Sequence, residues 1–206
     1  MKPCLTDHIK HVAGKELDTG KPVREEPMST RKTSAAEQSL QVPKAKQTIL
    51  ELYVTAQEAY EMWKDAPGRV KILDVRTPEE FVFVGHATMA WNIPVATVNH
   101  EWNGATNKSQ VKPNPEFVSQ VATWAKPEDT VLVMCRSGGR GAQAVNLLAN
   151  AGFKNVYNIF DGMEGDTVDD PDSAFHGKRM KNGWKNSGLP WTYAVDRDRM
   201  LIPESW

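Results

Sequence analysis

The stretch that most constrains the fold is residues 130–152, TVLVMCRSGGRGAQAVNLLANAG. Its first five residues are β-branched or apolar, which predicts a buried strand. Apolar side chains then recur at helical spacing from Ala142 until Gly152, a glycine placed to end a helix. The sequence therefore predicts a strand, a short glycine-rich loop and a helix, with Cys135 at the end of the strand.

The predicted loop favours negative charge at its centre. A tight turn into a helix directs several backbone N–H groups to one point, where the helix adds partial positive charge. Gly138 and Gly139 let the backbone wrap closely, because glycine adopts positive φ without a Cβ clash. Such surroundings favour the thiolate form of a cysteine, so Cys135 is predicted to be a nucleophile. Arg136 and Arg140 add fixed charge suited to an oxyanion substrate.

Loop length separates two kinds of thiol enzyme that cradle anions. Phosphatases of the tyrosine-phosphatase type need a cysteine, five residues and then an arginine. Here Gly141 stands six places after Cys135, and the arginine comes one residue early. The loop Cys135–Arg140 instead resembles the shorter loop of the rhodanese family, which encloses a sulfur atom. A buried, inert structural cysteine is the simpler alternative, and the flanking Arg-Ser-Gly-Gly-Arg argues against it.

Other segments carry the same resemblance. Asp-Val-Arg, Glu-Phe, Gly-His and Asn-Ile-Pro follow one another between residues 74 and 94, in the order found in the N-terminal half of a rhodanese domain. Residues 183–190, GWKNSGLP, resemble the closing segment of that domain. The match covers about residues 50–192. It departs from the family by one extra residue before Gly85 and by an insertion at residues 164–182.

The resemblance implies an α/β fold: a rhodanese-like domain with a central, mostly parallel five-stranded sheet and helices on both faces. We expect this domain at residues 48–192, after a disordered or extended N-terminal arm at 1–47 and before a C-terminal tail at 193–206. The arm contains Cys4, which is either a bystander or a resolving thiol. The insertion is either a solvated surface loop, a rim over the Cys135 site or a docking face for a sulfur donor or acceptor. A calcium loop is disfavoured, because Asp166 to Asp172 lacks the required glycine and contains a proline.

The family's usual activity is transfer of a sulfane sulfur through a cysteine persulfide, so the resemblance implies a rhodanese-type sulfurtransferase. Cys135 is the predicted catalytic residue. The predicted substrate-binding residues are Arg136, Ser137, Gly138, Gly139 and Arg140. Asp74 and Arg76 either support the loop or simply pair with each other. His86 is assigned an architectural role. The alternatives are a noncatalytic partner-binding or redox-sensing module and, less favoured, a phosphatase or arsenate reductase.

The expected donor is a small sulfur-containing anion, either thiosulfate, polysulfide or a persulfide. The expected acceptor is a thiol, cyanide or a protein sulfur acceptor, and no metal or organic cofactor is expected. The net charge of −1 gives no reason to expect nucleic-acid binding. No run approaches the roughly 20 apolar residues of a membrane span, and the N-terminus lacks the apolar core of a signal peptide. A cytoplasmic location is expected, with export of a processed form as the alternative. The oligomeric state stays open.

Local patterns predict further elements. Thr55 with Glu58 and Thr77 with Glu80 form two capping boxes, the first beginning a helix that runs to about Asp65. Other predicted elements are strands at 49–54, 70–75 and 154–159, the last of these being the final strand of the chain, and a helix at 115–124. The polar connection 98–114 is expected to contain a helical turn or to fold onto the sheet through Trp102.

Overall fold

The structure is a computed structural model that describes residues 42–105 and 108–201. The predicted arm lies outside these residues except for 42–47, and Cys4 also lies outside them. The strands are β1 Tyr53–Val54, β2 Val70–Asp74, β3 His86–Ala87, β4 Trp91–Asn92, β5 Ala96–Asn103, β6 Lys108–Pro113, β7 Thr130–Met134, β8 Val156–Ile159 and β9 Trp191–Thr192. The helices are α1 Ala56–Asp65, α2 Pro78–Phe83, α3 Phe117–Trp124 and α4 Gly139–Asn150, with short 3₁₀ turns at Lys44–Lys46 and Arg197–Arg199.

Five strands form the central sheet in the order β1-β8-β7-β2-β4. Every neighbouring pair in this sheet is parallel. The longest pairing joins β2 to β7 over five residue pairs, from Val70 opposite Thr130 to Asp74 opposite Met134. The predicted five-stranded parallel sheet is therefore confirmed, and β7 lies at its centre.

The sheet is buried on both faces because consecutive residues of its strands enter different hydrophobic clusters. In β7, Leu132 and Met134 pack in one cluster with side chains of α1 and α2. Val131 and Val133 pack in the other cluster, with side chains of α3 and α4. A strand covered on both sides reads as a continuous apolar run, which is what residues 131–134 are.

Both predicted capping boxes are present. The Thr55 side chain accepts a hydrogen bond from Glu58 N, and the Glu58 carboxylate accepts one from Thr55 N. Thr77 and Glu80 make the same reciprocal bonds at the start of α2, where Pro78 is the first helical residue. These contacts satisfy N–H groups that have no acceptor inside the helix.

The end of α4 is also confirmed. Gly152 has a φ of +95°, and its N–H donates to Ala149 O over 3.0 Å while Phe153 N donates to Leu148 O over 3.1 Å. This pair of bonds is the Schellman motif that a glycine at this position supports.

Three predicted elements differ in the structure. The first strand is only Tyr53–Val54, because Ile49 is 61% exposed and Glu51 adopts a φ of +54°, which turns the chain before the sheet begins. Residues 98–103 and 108–113 lie in the antiparallel strands β5 and β6, so the helical turn predicted for this connection is wrong for its described residues. Trp102 is 64% exposed and does not fold onto the sheet.

The prediction that residues 154–159 form the final strand is wrong. The strand predicted at 154–159 is β8, but β9 follows it and pairs antiparallel with β3. The pairing is short, with His86 opposite Thr192 and Ala87 opposite Trp191.

The insertion leaves the domain and returns to it at one place. Trp184 N donates to Gly162 O and Lys185 N donates to Met163 O, although some twenty residues intervene. The Trp184 side chain is fully buried. Within the described residues, no helix combines the length and apolar character that crossing a membrane would need.

Candidate active site

Cys135 follows directly after β7 and lies under the loop that leads into α4. Its side chain is 2% exposed and packs in the cluster that also contains Val131 and Val133. Its Sγ accepts a hydrogen bond from Gly138 N over 3.1 Å. The predicted placement of a thiol between strand and helix is what the structure has, and one loop amide already points at the sulfur.

Gly138 is the residue on which the loop turns. It is the N-cap of α4, with φ +96° and ψ −22°, a left-handed conformation that favours glycine. A Cβ there would overlap the Phe160 carbonyl. The first intrahelical bond runs from Ala142 N to Gly138 O, so the helix itself supplies no acceptor for the N–H groups of residues 139–141.

The carbonyl groups of the loop are occupied by donors outside it. Met163 N donates to Cys135 O over 2.8 Å, and Glu164 N donates to Arg136 O over 2.9 Å. The Asn158 side-chain amide donates to Gly138 O over 3.1 Å. In a trans peptide the N–H lies opposite the carbonyl, so the N–H groups of residues 136, 137 and 139 point away from these donors. The arrangement supplies amides for an anion on the other side of the loop.

Arg140 is committed to a carboxylate. Its Nη1 and Nη2 donate to Glu80 Oε2 and Oε1, each over 2.6 Å, as a bidentate pair. Burial alone would lower the pKa of Arg140, but Glu80 outweighs it and the pKa is raised; the nearby Cys135 also contributes. Burial would likewise raise the pKa of Glu80, but the hydrogen bonds and charge of Arg140 hold it below its ordinary value. Arg140 therefore places positive charge near the thiol, but both of its outer nitrogens already donate to Glu80.

The other predicted loop residues differ in exposure. Arg136 is exposed, Ser137 and Gly139 are half-buried, and Gly138 is buried. Arg136 is thus the loop arginine that solvent reaches most freely.

Asp74 and Arg76 bind each other. Both side chains are fully buried, and Arg76 Nη2 lies 2.7 Å from Asp74 Oδ2. Arg76 Nη2 also donates to Gly85 O over 2.8 Å, and the Asn92 side chain donates to the carbonyls of Asp74 and Arg76. Burial alone would lower the pKa of Arg76, but Asp74 raises it above its ordinary value. The pair fixes the turn after β2; a role in supporting the loop stays a prediction.

His86 is held inside the fold. Its Nδ1 lies 3.0 Å from Phe81 O, and its ring stacks on Phe81 with centroids 3.7 Å apart. Burial lowers the pKa of His86 below its ordinary value, so the ring is neutral near pH 7. These contacts agree with an architectural role.

Two residues that contact the thiol loop, Glu80 and Asn158, were not predicted as part of the site. Glu80 was identified only as a capping residue, and its second contact with Arg140 joins residues 60 positions apart. Asn158 was not singled out, and the sequence holds no local signal for its bond to Gly138, since the two residues meet only when β8 pairs with β7. In the described part of the chain, no three His, Cys, Asp or Glu side chains come together as a metal ion would require.

Comparison with known proteins agrees with the fold. Thiosulfate sulfurtransferase 16, chloroplastic, of Arabidopsis thaliana is 41% identical over 92 residues, which make up 45% of this chain and 69% of that protein. The uncharacterized protein RP600 of Rickettsia prowazekii (strain Madrid E) is 33% identical over 122 residues, covering 59% of this chain and 82% of that one. The crystal structure of Rv0390 from M. tuberculosis superposes with a TM-score of 0.54 at 28% identity, covering 68% of this chain and 96% of that one. The rhodanese-like domain family matches residues 55–167, more than half of the sequence, and the chain belongs to that family.

Proposed function

We propose that the protein is a sulfurtransferase that carries a sulfane sulfur as a persulfide on Cys135. The observation that carries this proposal is the hydrogen bond from Gly138 N to Cys135 Sγ at the N-terminus of α4. A donor aimed at the sulfur stabilises negative charge there, and the thiolate is the nucleophilic form of cysteine. The similarity to a protein named thiosulfate sulfurtransferase supports the same class of reaction.

In the first half reaction the Cys135 thiolate attacks the outer sulfur of thiosulfate. A bond forms between Sγ and that sulfur, the bond from it to the sulfonate sulfur breaks, and the electron pair leaves with sulfite. The product is a Cys135 persulfide, whose outer sulfur carries negative charge. The N–H groups of residues 136, 137 and 139 would hold that charge, and the exposed Arg136 would meet the incoming anion.

In the second half reaction a nucleophilic acceptor attacks the outer sulfur of the persulfide. The new bond joins acceptor and sulfur, the sulfur–sulfur bond to Cys135 breaks, and its electron pair restores the thiolate. Thiols, cyanide and nucleophilic protein groups all fit this step. The sequence of two displacements predicts ping-pong kinetics, and neither step as written uses a metal or an organic cofactor.

Intact-mass measurement tests the proposal directly. Treatment with thiosulfate or polysulfide should add one sulfur atom to the wild-type protein, and subsequent cyanide should remove it. The Cys135→Ser variant should gain none, whereas Cys4→Ser, a matched control that removes the other cysteine, should gain as much as the wild type. A gain that persists in Cys135→Ser would contradict the proposal.

One observation favours a second candidate, a module that binds a partner or senses oxidants without turnover. Cys135 is only 2% exposed, which restricts the access of a large substrate to the sulfur. Such a module would acquire no sulfur from any sulfane donor, so the same mass measurement separates it from the sulfurtransferase.

A further inference from the structure

A cavity of about 540 Å³ lies between β5, β6, α3 and α4. Its volume is within the range of about 300–1,000 Å³ that small-molecule sites occupy. Its walls are mostly apolar, and the side chains that matter here are Val95, Val111, Phe117, Val118, Arg140 and Leu147.

The cavity lies on the same face of the sheet as the Cys135 side chain. Val95 and Phe117 belong to the packed cluster that contains Cys135. Val75 N donates to Met134 O, and Val95 N donates to Val75 O, so backbone bonds connect the end of β7 to the cavity in two steps. Arg140, the last residue of the thiol loop, forms part of the cavity wall.

The polar groups of the lining are largely committed elsewhere. The Asn114 side chain donates to Pro94 O and to Gln120 Oε1, each over 2.8 Å, and accepts from Glu116 N. Arg140 is paired with Glu80. An occupant would therefore gain its free energy of binding mainly from apolar contact.

This lining decides which substrate the cavity suits. Thiosulfate and polysulfide have no apolar part, so an apolar cavity offers these donors nothing. A thiol acceptor with an alkyl or aryl body would bury that body and keep its sulfur at the edge of the cavity, beside the loop.

We propose that this cavity binds the apolar body of an organic thiol, the sulfur acceptor; the inference rests on the proposed function. The thiolate of the bound acceptor attacks the outer sulfur of the Cys135 persulfide. A sulfur–sulfur bond forms on the acceptor, the bond to Cys135 breaks, and the electron pair returns to Cys135 Sγ. The products are an organic persulfide and the Cys135 thiolate, with charge and atoms conserved.

A series of alkane thiols of increasing length tests the inference, with thiosulfate as donor and cyanide as a reference acceptor that has no apolar part. With the wild-type protein, kcat/KM for the acceptor should rise by up to about fourfold per added methylene until the cavity is filled. The charge-introducing variants Val111→Asp and Leu147→Asp are suitable probes, because these residues are 52% and 44% exposed and belong to neither hydrophobic cluster. Both should flatten the length dependence and leave turnover with cyanide unchanged.

Val195→Asp is the matched control, since Val195 is 41% exposed and is not part of the cavity lining. It should retain the length dependence of the wild type. A flat series in the wild type, with cyanide turnover intact, would overturn the cavity assignment and leave the sulfurtransferase standing. An equal loss in Val195→Asp would overturn it as well. Absence of both the persulfide and cyanide turnover would overturn the proposed function and the inference together.

Discussion

The carboxylate of Glu80 connects the first turn of α2 to the first turn of α4. Its Oε2 accepts from Thr77 N over 3.0 Å as part of the capping box. The same Oε2 and the other carboxylate oxygen, Oε1, each accept a hydrogen bond from an outer nitrogen of Arg140. Each side chain of the pair is about a quarter exposed, 24% for Glu80 and 26% for Arg140, so solvent screens the attraction only in part. One side chain therefore begins a helix and anchors the thiol loop.

Replacing Glu80 with Gln should destabilise the protein by about 1–2 kcal/mol, because a charge-assisted bidentate pair is lost and Arg140 keeps its charge. The pKa of Glu80 is lowered in the folded state. Its contribution is therefore fully present above the ordinary glutamate value of about 4.3 and is lost as the pH falls through the lower folded value. Urea unfolding at pH 7 and at a series of acidic pH values should show the wild-type advantage shrinking in acid.

Glu61→Gln provides the matched control, since Glu61 is an exposed glutamate of α1. It should leave the free energy of unfolding at pH 7 nearly unchanged. A wild-type advantage over Glu80→Gln that persists undiminished in strong acid would contradict the assigned ion pair.

At the residue scale, the sequence predicted contacts between residues that are close in the chain and missed contacts between distant ones. Cys135 and its loop occupy six consecutive positions, so their residue types alone predicted strand, turn and helix N-terminus. Pairing of Asp74 with Arg76 could also be foreseen as one of two interpretations, because the two residues are two positions apart. The pairing of Glu80 with Arg140 and the bond from Asn158 to Gly138 depend on tertiary packing, and single-residue patterns contain no trace of them.

At the scale of the element, α4 lies between two glycines whose φ angles are nearly the same. Gly138 precedes the helix with a φ of +96° and Gly152 follows it with a φ of +95°. Their surroundings differ: a Cβ on Gly138 would overlap the Phe160 carbonyl, whereas a Cβ on Gly152 would meet nothing within 4 Å. The pair therefore separates backbone strain from crowding.

Gly152→Ala should cost about 1–2 kcal/mol, the strain of a left-handed conformation for alanine. Gly138→Ala should cost about 1–3 kcal/mol more, because the new methyl group also displaces backbone. The displaced backbone carries the N–H that donates to the thiol, so Gly138→Ala should in addition slow persulfide formation under conditions where the variant is folded. Urea unfolding measures the loss of stability, and intact-mass measurement after timed quenching measures the rate of persulfide formation. Equal losses of stability for both variants would contradict the crowding at Gly138.

Elements with a strong local signal were predicted closely, and elements without one were not. The two capping boxes predicted where α1 and α2 begin, and Gly152 predicted where α4 ends. The β5–β6 hairpin pairs outside the central sheet, and its tip carries the exposed Trp102. The apolar residues Ala96, Val98 and Trp102 of β5 lie at even spacing, but only three of its eight residues are apolar. The polar residues around them favoured a loop with a helical turn, and the strand was missed.

At the scale of the whole molecule, the insertion is a surface loop whose two ends meet at its base, near Gly165 and Gly183. Gly165 and Gly183 lie against each other, so that a Cβ on Gly183 would come 2.5 Å from Gly165 N. Beyond this base, Lys46 Nζ binds Asp166 Oδ1 over 2.7 Å. The limits of the insertion were predictable because the flanking segments resemble a continuous closing segment. The contact with Lys46 was not, since it joins residues 120 positions apart.

The rim interpretation of the insertion makes its own prediction. The base of the insertion touches the thiol loop, because Glu164 N and Gly165 N both donate to Arg136 O. Residues 169–172, 174–178, 180 and 181 are exposed, so they belong to no core. Replacing residues 166–181 with a short glycine linker should keep the fold, because the two ends already meet, at a cost of about 1–2 kcal/mol for leaving Lys46 unpaired.

The same deletion should change substrate affinity more than it changes folding. If the exposed residues form a rim beside Arg136, KM for the sulfur donor or acceptor should change by about threefold or more with a smaller change in kcat, the pattern of lost uniform binding. Asp166→Asn in the full-length chain is the control, since it removes the Lys46 partner and keeps the rim; it should reproduce the loss of stability and not the change in KM. Unaltered kinetics in the trimmed protein would identify the insertion as a solvated loop with no part in binding.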